Sequence, residues 1–331
     1  MRPAARLIPK VGRGVGLGHL MRCLALGMKL LERGATDIAV LLPAGAAERD
    51  LVRRAGIRTE TLEAERALRG DRAYVVDLEL PLGEWPLRFA SGPLAVAAID
   101  DAGLALADVD LIVNPNVHAD PSWYPGGSAL AVGSKFALLR REFELARRRL
   151  RTTRLRGHRV VVSMGGGDAP GAIDRVLEGL ADLDARVDVL LGPRSRRPIR
   201  RPNGTKTGIV IRRSPPVMAP HFLAADLAVT GGGSTLYEVA ACGTPAISLS
   251  LNPSQETHAR RWSELGATEY LGLVDRVSPE DLGSTVHTLL GDASRRRRMA
   301  TKGRSIVDGR GTDRVATMLF RVIAHPRGIR R

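Results

Sequence analysis

Short aliphatic and β-branched runs alternate along this chain with stretches whose apolar positions recur every three to four residues. In the first half, runs at Ile38–Leu42, Tyr74–Asp77, Leu94–Ile99 and Leu111–Val113 predict strands. Leu20, Cys23, Leu24, Met28 and Leu31 fall on one face of a predicted helix from about His19 to Arg33. The alternation restarts at Arg159 with Val160-Val161-Val162. It continues through runs at Val187–Leu191, Ile209–Ile211, Leu227–Val229 and Ala246–Leu249. Helices are predicted between these runs at Ala172–Leu180, Thr235–Cys242 and Glu256–Leu265. Three more are predicted over Ser278–Ala324, with breaks at Asp292 and Gly309–Gly311.

Strands alternating with helices give an α/β chain with parallel sheets, and 331 residues exceed one ordinary core. The expected organisation is two Rossmann-like domains, 1–145 and 159–310, joined by an Arg-rich, apolar-poor linker at 146–158. A C-terminal helix with a basic tail follows at 311–331. Ligands of doubly wound sheets sit beyond the carboxyl ends of the strands, so the expected site lies in the cleft between the domains.

Composition narrows the class. Hydrophobic content of 44% and charged content of 26% are those of a globular protein, and no apolar run approaches the roughly 20 residues that span a bilayer. The first ten residues lack the apolar core of a signal peptide. The only cysteines, Cys23 and Cys242, lie far apart inside predicted helices, which fits a reducing cytoplasm. The formal net charge of +15 is almost all arginine. Runs such as Arg147–Arg149 and Arg295–Arg298 read as solvated helix faces, and no stacking aromatics are interleaved with them. A nucleic-acid partner is therefore not expected. Stable membrane insertion is not expected either, although a basic surface permits peripheral contact with anionic lipid.

Three glycine-rich loops lead into predicted helices, the second and third directly after a predicted strand. Gly14-Val15-Gly16-Leu17-Gly18-His19 has G-x-G-x-G spacing and no acidic residue clearly ending the next strand, so it is not a dinucleotide fingerprint. His19 stands at the mouth of the sheet, either as a helix cap or as a catalytic group. Ser163-Met164-Gly165-Gly166-Gly167-Asp168 and Gly231-Gly232-Gly233-Ser234-Thr235 repeat the arrangement in the second half. Backbone N–H groups at such junctions bind phosphate, and two of them predict a diphosphate site. Ser234 or Thr235 could cap the following helix and meet a phosphate oxygen. Glu238, about one turn in, could accept from ribose hydroxyls or close a capping box.

The ordered set resembles the PseG-like nucleotide-sugar hydrolases of pseudaminic acid synthesis, relatives of the MurG-type glycosyltransferases. The resemblance rests on Gly16-Leu17-Gly18-His19-Leu20-Met21-Arg22-Cys23-Leu24, Ile99-Asp100-Asp101 and Asp110-Leu111-Ile112-Val113-Asn114. It continues through Phe136–Phe143, Ser163–Asp168, Gly232–Glu238 with Gly243-Thr244-Pro245, and Gln255. It implies the GT-B architecture and no metal or other cofactor. UDP would be held by Gly165, Gly166, Gly167, Gly232, Gly233, Ser234, Thr235 and Glu238, with the loop Arg212–Met218 near the uracil. The sugar would meet Gly18, Asn114, Tyr124, Gln255 and His258.

The implied chemistry is inverting cleavage of the anomeric C–O bond of a UDP-amino-sugar. His19 would be the general base that activates water, with Asp100 or Asp101 orienting it or the sugar. Arg22 could help neutralise the departing phosphate, or form an ion pair on the helix surface. Two features depart from the hydrolase pattern, and both fall on the sugar side. Asp77-Leu78-Glu79 stands where those hydrolases carry Asp-x-Tyr, and Ser254-Gln255 stands for Asn-Gln. The rival reading is a MurG-like transferase delivering sugar to an acceptor in cell-surface polysaccharide or glycolipid synthesis. A non-catalytic basic module for nucleic acid leaves the phosphate loops unexplained, and an NAD-dependent dehydrogenase lacks its fingerprint.

Overall fold

The computed structural model describes residues 4–12, 14–62, 73–77, 95–104, 109–149, 159–166, 171–195 and 197–325. The chain divides into two compact units, Met1–Arg141 with Arg310–Arg331, and Glu142–Gly309. The first holds β1 (Ala4–Pro9), β2 (Asp37–Leu42), β3 (Arg58–Thr61), β4 (Ala73–Asp77), β5 (Ala95–Ile99), β6 (Leu111–Asn114) and β7 (Ala129–Val132). These pair in parallel in the order β3-β2-β1-β4-β5-β6-β7. The second holds β8 (Arg159–Ser163), β9 (Arg186–Leu191), β10 (Gly208–Arg213), β11 (Leu227–Gly231), β12 (Ala246–Ser250) and β13 (Thr268–Leu273). Their parallel order is β10-β9-β8-β11-β12-β13. The helices are α1 (Gly18–Glu32), α2 (Arg49–Arg54), α3 (Arg141–Arg149), α4 (Ala172–Gly179), α5 (Ala219–Ala224), α6 (Thr235–Cys242), α7 (Glu256–Glu264), α8 (Pro279–Gly291), α9 (Ala293–Ile306) and α10 (Gly311–Ala324).

In each sheet the strands are laid down to one side of the first strand and then to the other. The reversal falls between β1 and β4 in one unit and between β8 and β11 in the other. Connections leave in opposite directions there, which opens a crevice at the carboxyl ends. Strands β4, β5, β11 and β12 are buried at every position, as in parallel sheets covered on both faces.

The first core gathers Leu7, Val40, Val75, Ala97 and Leu111 with Leu20, Leu24 and Leu30 of α1. Helix α1 lies low on the sheet because Gly27 has no side chain; a Cβ there would stand 2.7 Å from Leu7 Cδ1. Val315, Ala316 and Leu319 of α10 join the same core, so the end of the chain completes the first unit. The Thr312 hydroxyl both accepts from Leu139 N and donates to Leu139 O, each at 2.8 Å, fixing the start of α10. The second core joins Val160, Val162, Val189, Val229 and Ile247 to Ile173, Val176 and Leu177 of α4 and to Leu282, Val286 and Leu289 of α8.

Strands β1, β3, β7 and β13 were not among those predicted. Arg6 sits in the middle of β1 yet is fully buried, paired with Asp37 and Glu60 at 2.9 Å each. The stretch expected as a linker at 146–158 begins inside α3, and 150–158 lie outside the described residues. The arginine run on α9 is only partly solvated. Arg296 is buried with its guanidinium on the carbonyls of Leu289 and Leu290, capping the end of α8. Arg295 pairs with Glu269 at 2.5 Å. Among the described residues, no helix is long and apolar enough to cross a membrane.

Candidate functional site

In the first unit, β1 and β4 end side by side. Lys10 N donates to Asp77 O at 2.9 Å, tying the exit of β1 to the end of β4. The chain then turns through Gly12 and Gly14, at φ +134° and +77°, before α1 begins at Gly18. No side chain caps α1, so His19 is not its cap. Instead, its Nδ1 lies 2.9 Å from Oδ1 of Asp77. Asp77 closes the otherwise apolar strand Ala73–Asp77 and is 1% exposed, against 17% for His19. Arg22, one turn further along α1, grips the same carboxylate through Nε at 2.6 Å and Nη2 at 2.5 Å. Its Nη1 reaches Asp101 at 2.8 Å.

Donor and acceptor rules fix the histidine. A carboxylate can only accept, so Nδ1 carries the proton that Asp77 receives; in the neutral ring the lone pair then lies on Nε2. Arg22 Nη2 lies 3.1 Å from the same Nδ1, because both donors converge on one oxygen. Burial alone would raise the Asp77 carboxyl; Arg22 and then His19 outweigh it and hold it below the usual carboxylate range. Burial likewise opposes the Arg22 charge, but Asp101 and Asp77 together hold it well above its ordinary value. Burial, reinforced by Asp77, pushes the neighbouring Cys23 thiol well up, which leaves it a packed, protonated group.

Asp77, then, takes the orienting position expected of Asp100 or Asp101. Asp101 meets Arg22 and is held by Asn116 Nδ2, which donates to its carbonyl at 3.2 Å and its carboxylate at 3.3 Å. Asp100 is fully buried and accepts from Ala102 N, Gly103 N and Leu104 N at 2.8, 3.1 and 2.9 Å. Tyr124 donates to it at 2.8 Å and accepts from Asn114 Nδ2 at 2.8 Å. These three side chains form a buried brace that shapes the turn after β5. Burial first, and the Asp100 bond after it, push the Tyr124 phenol well up. Asn114 and Tyr124, expected to meet the sugar, are bonded to each other and to Asp100.

In the second unit the site is made of backbone. Thr230 Oγ1 donates to Ser163 O at 2.7 Å, clamping the ends of β11 and β8 together. Gly165 turns the chain away from β8 with φ +93°. Gly192, at the exit of β9, packs directly on the next residue; a Cβ there would stand 2.5 Å from Gly166 O. Gly167 lies outside the described residues. At the neighbouring exit, Gly232 is enclosed by Ala259 and Ser250, its added Cβ falling 3.0 and 3.2 Å from them. Ser234 stands at the N-cap of α6, yet neither it nor Thr235 supplies a side-chain cap, contrary to expectation. Ser234 is exposed, Thr235 is buried, and Glu238 is half-buried on the first turn of α6.

Gln255 and His258 approach this loop from α7 and the turn before it. Gln255 Oε1 accepts from Leu251 N at 3.0 Å, while its Nε2 lies 3.5 Å from where a Gly233 side chain would begin. His258 is buried, with Nδ1 2.7 Å from Gly232 O and Nε2 2.9 Å from Tyr237 Oη and 3.1 Å from Trp262 Nε1. It touches the loop from beneath. Among the described residues, no group of three His, Cys, Asp or Glu side chains is arranged to hold a metal ion. Sequence reasoning assigned Asp77 no role and missed Gly192. Asp77 showed in the sequence only as an acid closing an apolar run, which does not tie it to His19, and Gly192 only by its place after a strand.

No protein-family model matches the chain. Over 200 residues, 59% of this chain and 59% of the relative, it is 28% identical to the spore coat polysaccharide biosynthesis protein SpsG of Bacillus subtilis strain 168. Over 105 residues, 30% of this chain and 31% of the relative, it is 39% identical to a Rubrobacter xylanophilus enzyme. That enzyme is UDP-N-acetylglucosamine–N-acetylmuramyl-(pentapeptide) pyrophosphoryl-undecaprenol N-acetylglucosamine transferase. The chain thus spans less than two thirds of each of these relatives. Among solved structures, Acinetobacter baumannii MurG superposes with a TM-score of 0.63 at 15% identity, covering 97% of this chain and 100% of MurG. The spinosyn forosaminyltransferase SpnP gives 0.64 at 14% identity, covering 98% and 100%. At these identities the likeness is one of fold: the two parallel sheets are those of GT-B glycosyltransferases.

Proposed function

We propose that this GT-B chain uses a UDP-sugar in polysaccharide biosynthesis and cleaves its anomeric C–O bond, with water as acceptor. The observation that carries the reading is the 2.9 Å contact between His19 Nδ1 and Asp77, which in the neutral ring puts the lone pair on Nε2, the atom that would act as general base. Water attacks C1 from the face opposite the diphosphate, its proton passes to Nε2, and the C1–O bond breaks with its electron pair leaving on UDP. The configuration at C1 inverts. The backbone around Gly165, Gly166, Gly232 and Gly233, with the start of α6, supplies N–H groups for the diphosphate, and Glu238 the acceptor for ribose hydroxyls. No strong acid is needed, because UDP is a good leaving group. Support comes from SpsG, named for polysaccharide biosynthesis, and from the UDP-N-acetylglucosamine transferase.

A second reading, transfer to an alcohol acceptor, is favoured by the transferase names of the matched relatives. The same base would then deprotonate that alcohol. Incubation with a panel of UDP-sugars, with and without acceptors, separates the two when UDP and sugar are followed by NMR. UDP and free sugar formed at full rate without acceptor, with the inverted anomer appearing first, support hydrolysis. Turnover only after an acceptor is added overturns hydrolysis in favour of transfer.

A further inference from the structure

Among the described residues of the second unit, His258 reaches the glycine loop with both ring nitrogens bonded. Gly232 O is a carbonyl and can only accept, so His258 Nδ1, at 2.7 Å, donates to it. The indole of Trp262 can only donate, so His258 Nε2, at 3.1 Å, accepts from it, with the Tyr237 hydroxyl 2.9 Å from the same nitrogen. The ring is therefore the neutral Nδ1–H tautomer. It is braced by Tyr237, 5.4 Å away between centroids, and by Trp262, 6.2 Å away and nearly perpendicular. Tyr237 lies on α6 and Trp262 on α7, so the brace is set by the same helices that flank the loop.

Fixing a carbonyl fixes the plane of the peptide it belongs to. Gly232 O shares its peptide with the N–H of Gly233, and a glycine-rich loop has no side chains to hold that plane otherwise. On its other side the Gly232 N–H donates to Leu249 O at 2.9 Å. The two bonds pin both peptides of Gly232, and the chain continues from there into Ser234 and the start of α6. We propose that His258 is a positioning residue for the nucleotide: its Nδ1–H holds the Gly232–Gly233 peptide so that the N–H groups following it face the diphosphate. The expected sugar contact from His258 gives way to this role beneath the loop. The inference rests on the nucleotide reading above.

The side-chain geometry offers a clean separation. Asparagine places an N–H where Nδ1 stands and can donate to Gly232 O; glutamine places its amide where Nε2 stands and meets Tyr237 and Trp262 instead. UDP binding to full-length wild type, His258→Asn and His258→Gln, measured by calorimetry beside the melting temperature of each, tests the idea. His258→Asn should hold UDP within about threefold of wild type, and His258→Gln should bind it about tenfold or more weakly, the loss of one buried hydrogen bond. A role confined to filling the space between Tyr237 and Trp262 predicts the reverse order, since asparagine leaves the larger gap. That order, or equal weakening in both variants, overturns the proposal while the wild type still binds UDP. Wild type without UDP binding overturns the nucleotide reading beneath it. Long-range ¹⁵N NMR of the histidine rings adds a check: a proton on His258 Nε2 instead of Nδ1 contradicts the latch.

Discussion

Both units open a crevice at the same topological place, β1 against β4 in one and β8 against β11 in the other, and they fill it with different chemistry. The first puts four side chains there, His19, Arg22, Asp77 and Asp101, whose polar atoms interlock within 3.1 Å. The second puts glycine backbone there, with one neutral histidine beneath it. On the proposed reading a proton is moved in the first case, where a histidine ring is held by a buried carboxylate. In the second, on the same reading, an anion is held, and backbone N–H groups can do this without bringing a counter-charge that must itself be desolvated. One sheet topology thus serves as a frame for either device.

If that division is right, substitutions in the two crevices should fail in different ways. The largest effect is expected from His19→Asn, which keeps a donor for Asp77 but removes the base. Turnover should fall roughly 10²–10⁴-fold with UDP affinity and melting temperature near wild type. Asp77→Asn should cost on the order of 10²-fold in kcat, by releasing the ring orientation. Asp77→Ala should also lower stability by about 3–5 kcal/mol, since the mostly buried Arg22 loses a bidentate partner. The sign of the pH effect follows from the lowered carboxyl. Ionised Asp77 contributes stability above its unfolded value of about 4, and that contribution is lost as pH falls through the lower folded value. Urea unfolding from pH 7 to pH 3 should therefore show wild type losing its margin over Asp77→Asn on acidification.

The second crevice should fail in binding. Gly192→Ala drives a methyl group onto the Gly166 carbonyl, a backbone atom that cannot swing aside, and UDP affinity should weaken about tenfold. Saturating UDP-sugar should restore most of kcat, as His19→Asn would not allow. The smallest effect is expected from Tyr124→Phe. It removes two hydrogen bonds from the brace on Asp100, so stability should drop by about 1 kcal/mol with kcat/KM unchanged. A large rise in KM in that variant would return Tyr124 to the sugar pocket.

The strands and helices that bury a continuous apolar face were legible in the sequence, as were the glycine loops between them. The strands left unread have identifiable causes. Arg6 interrupts the apolar run of β1, though two carboxylates neutralise it in the fold. Strand β3, Arg58–Thr61, is a polar edge strand with nothing apolar to mark it. In the candidate site, the second and third glycine loops could be placed from strand-to-helix junctions, and His19 from the glycines and predicted helix that flank it. The carboxylate partner could not, because His19 and Asp77 are 58 positions apart and meet only through the neighbouring positions of β1 and β4. Asp100 or Asp101 was expected to orient His19 or the sugar; consecutive residues send their side chains apart, here to a buried turn and to Arg22.

The most direct test is UDP-sugar turnover in ¹⁸O-labelled water, with the released UDP analysed by mass spectrometry. Cleavage at the anomeric carbon predicts UDP free of label, formed without added acceptor and slowed by His19→Asn. Label in the β-phosphate, or full turnover in His19→Asn, would contradict attack on C1 by a water that His19 activates.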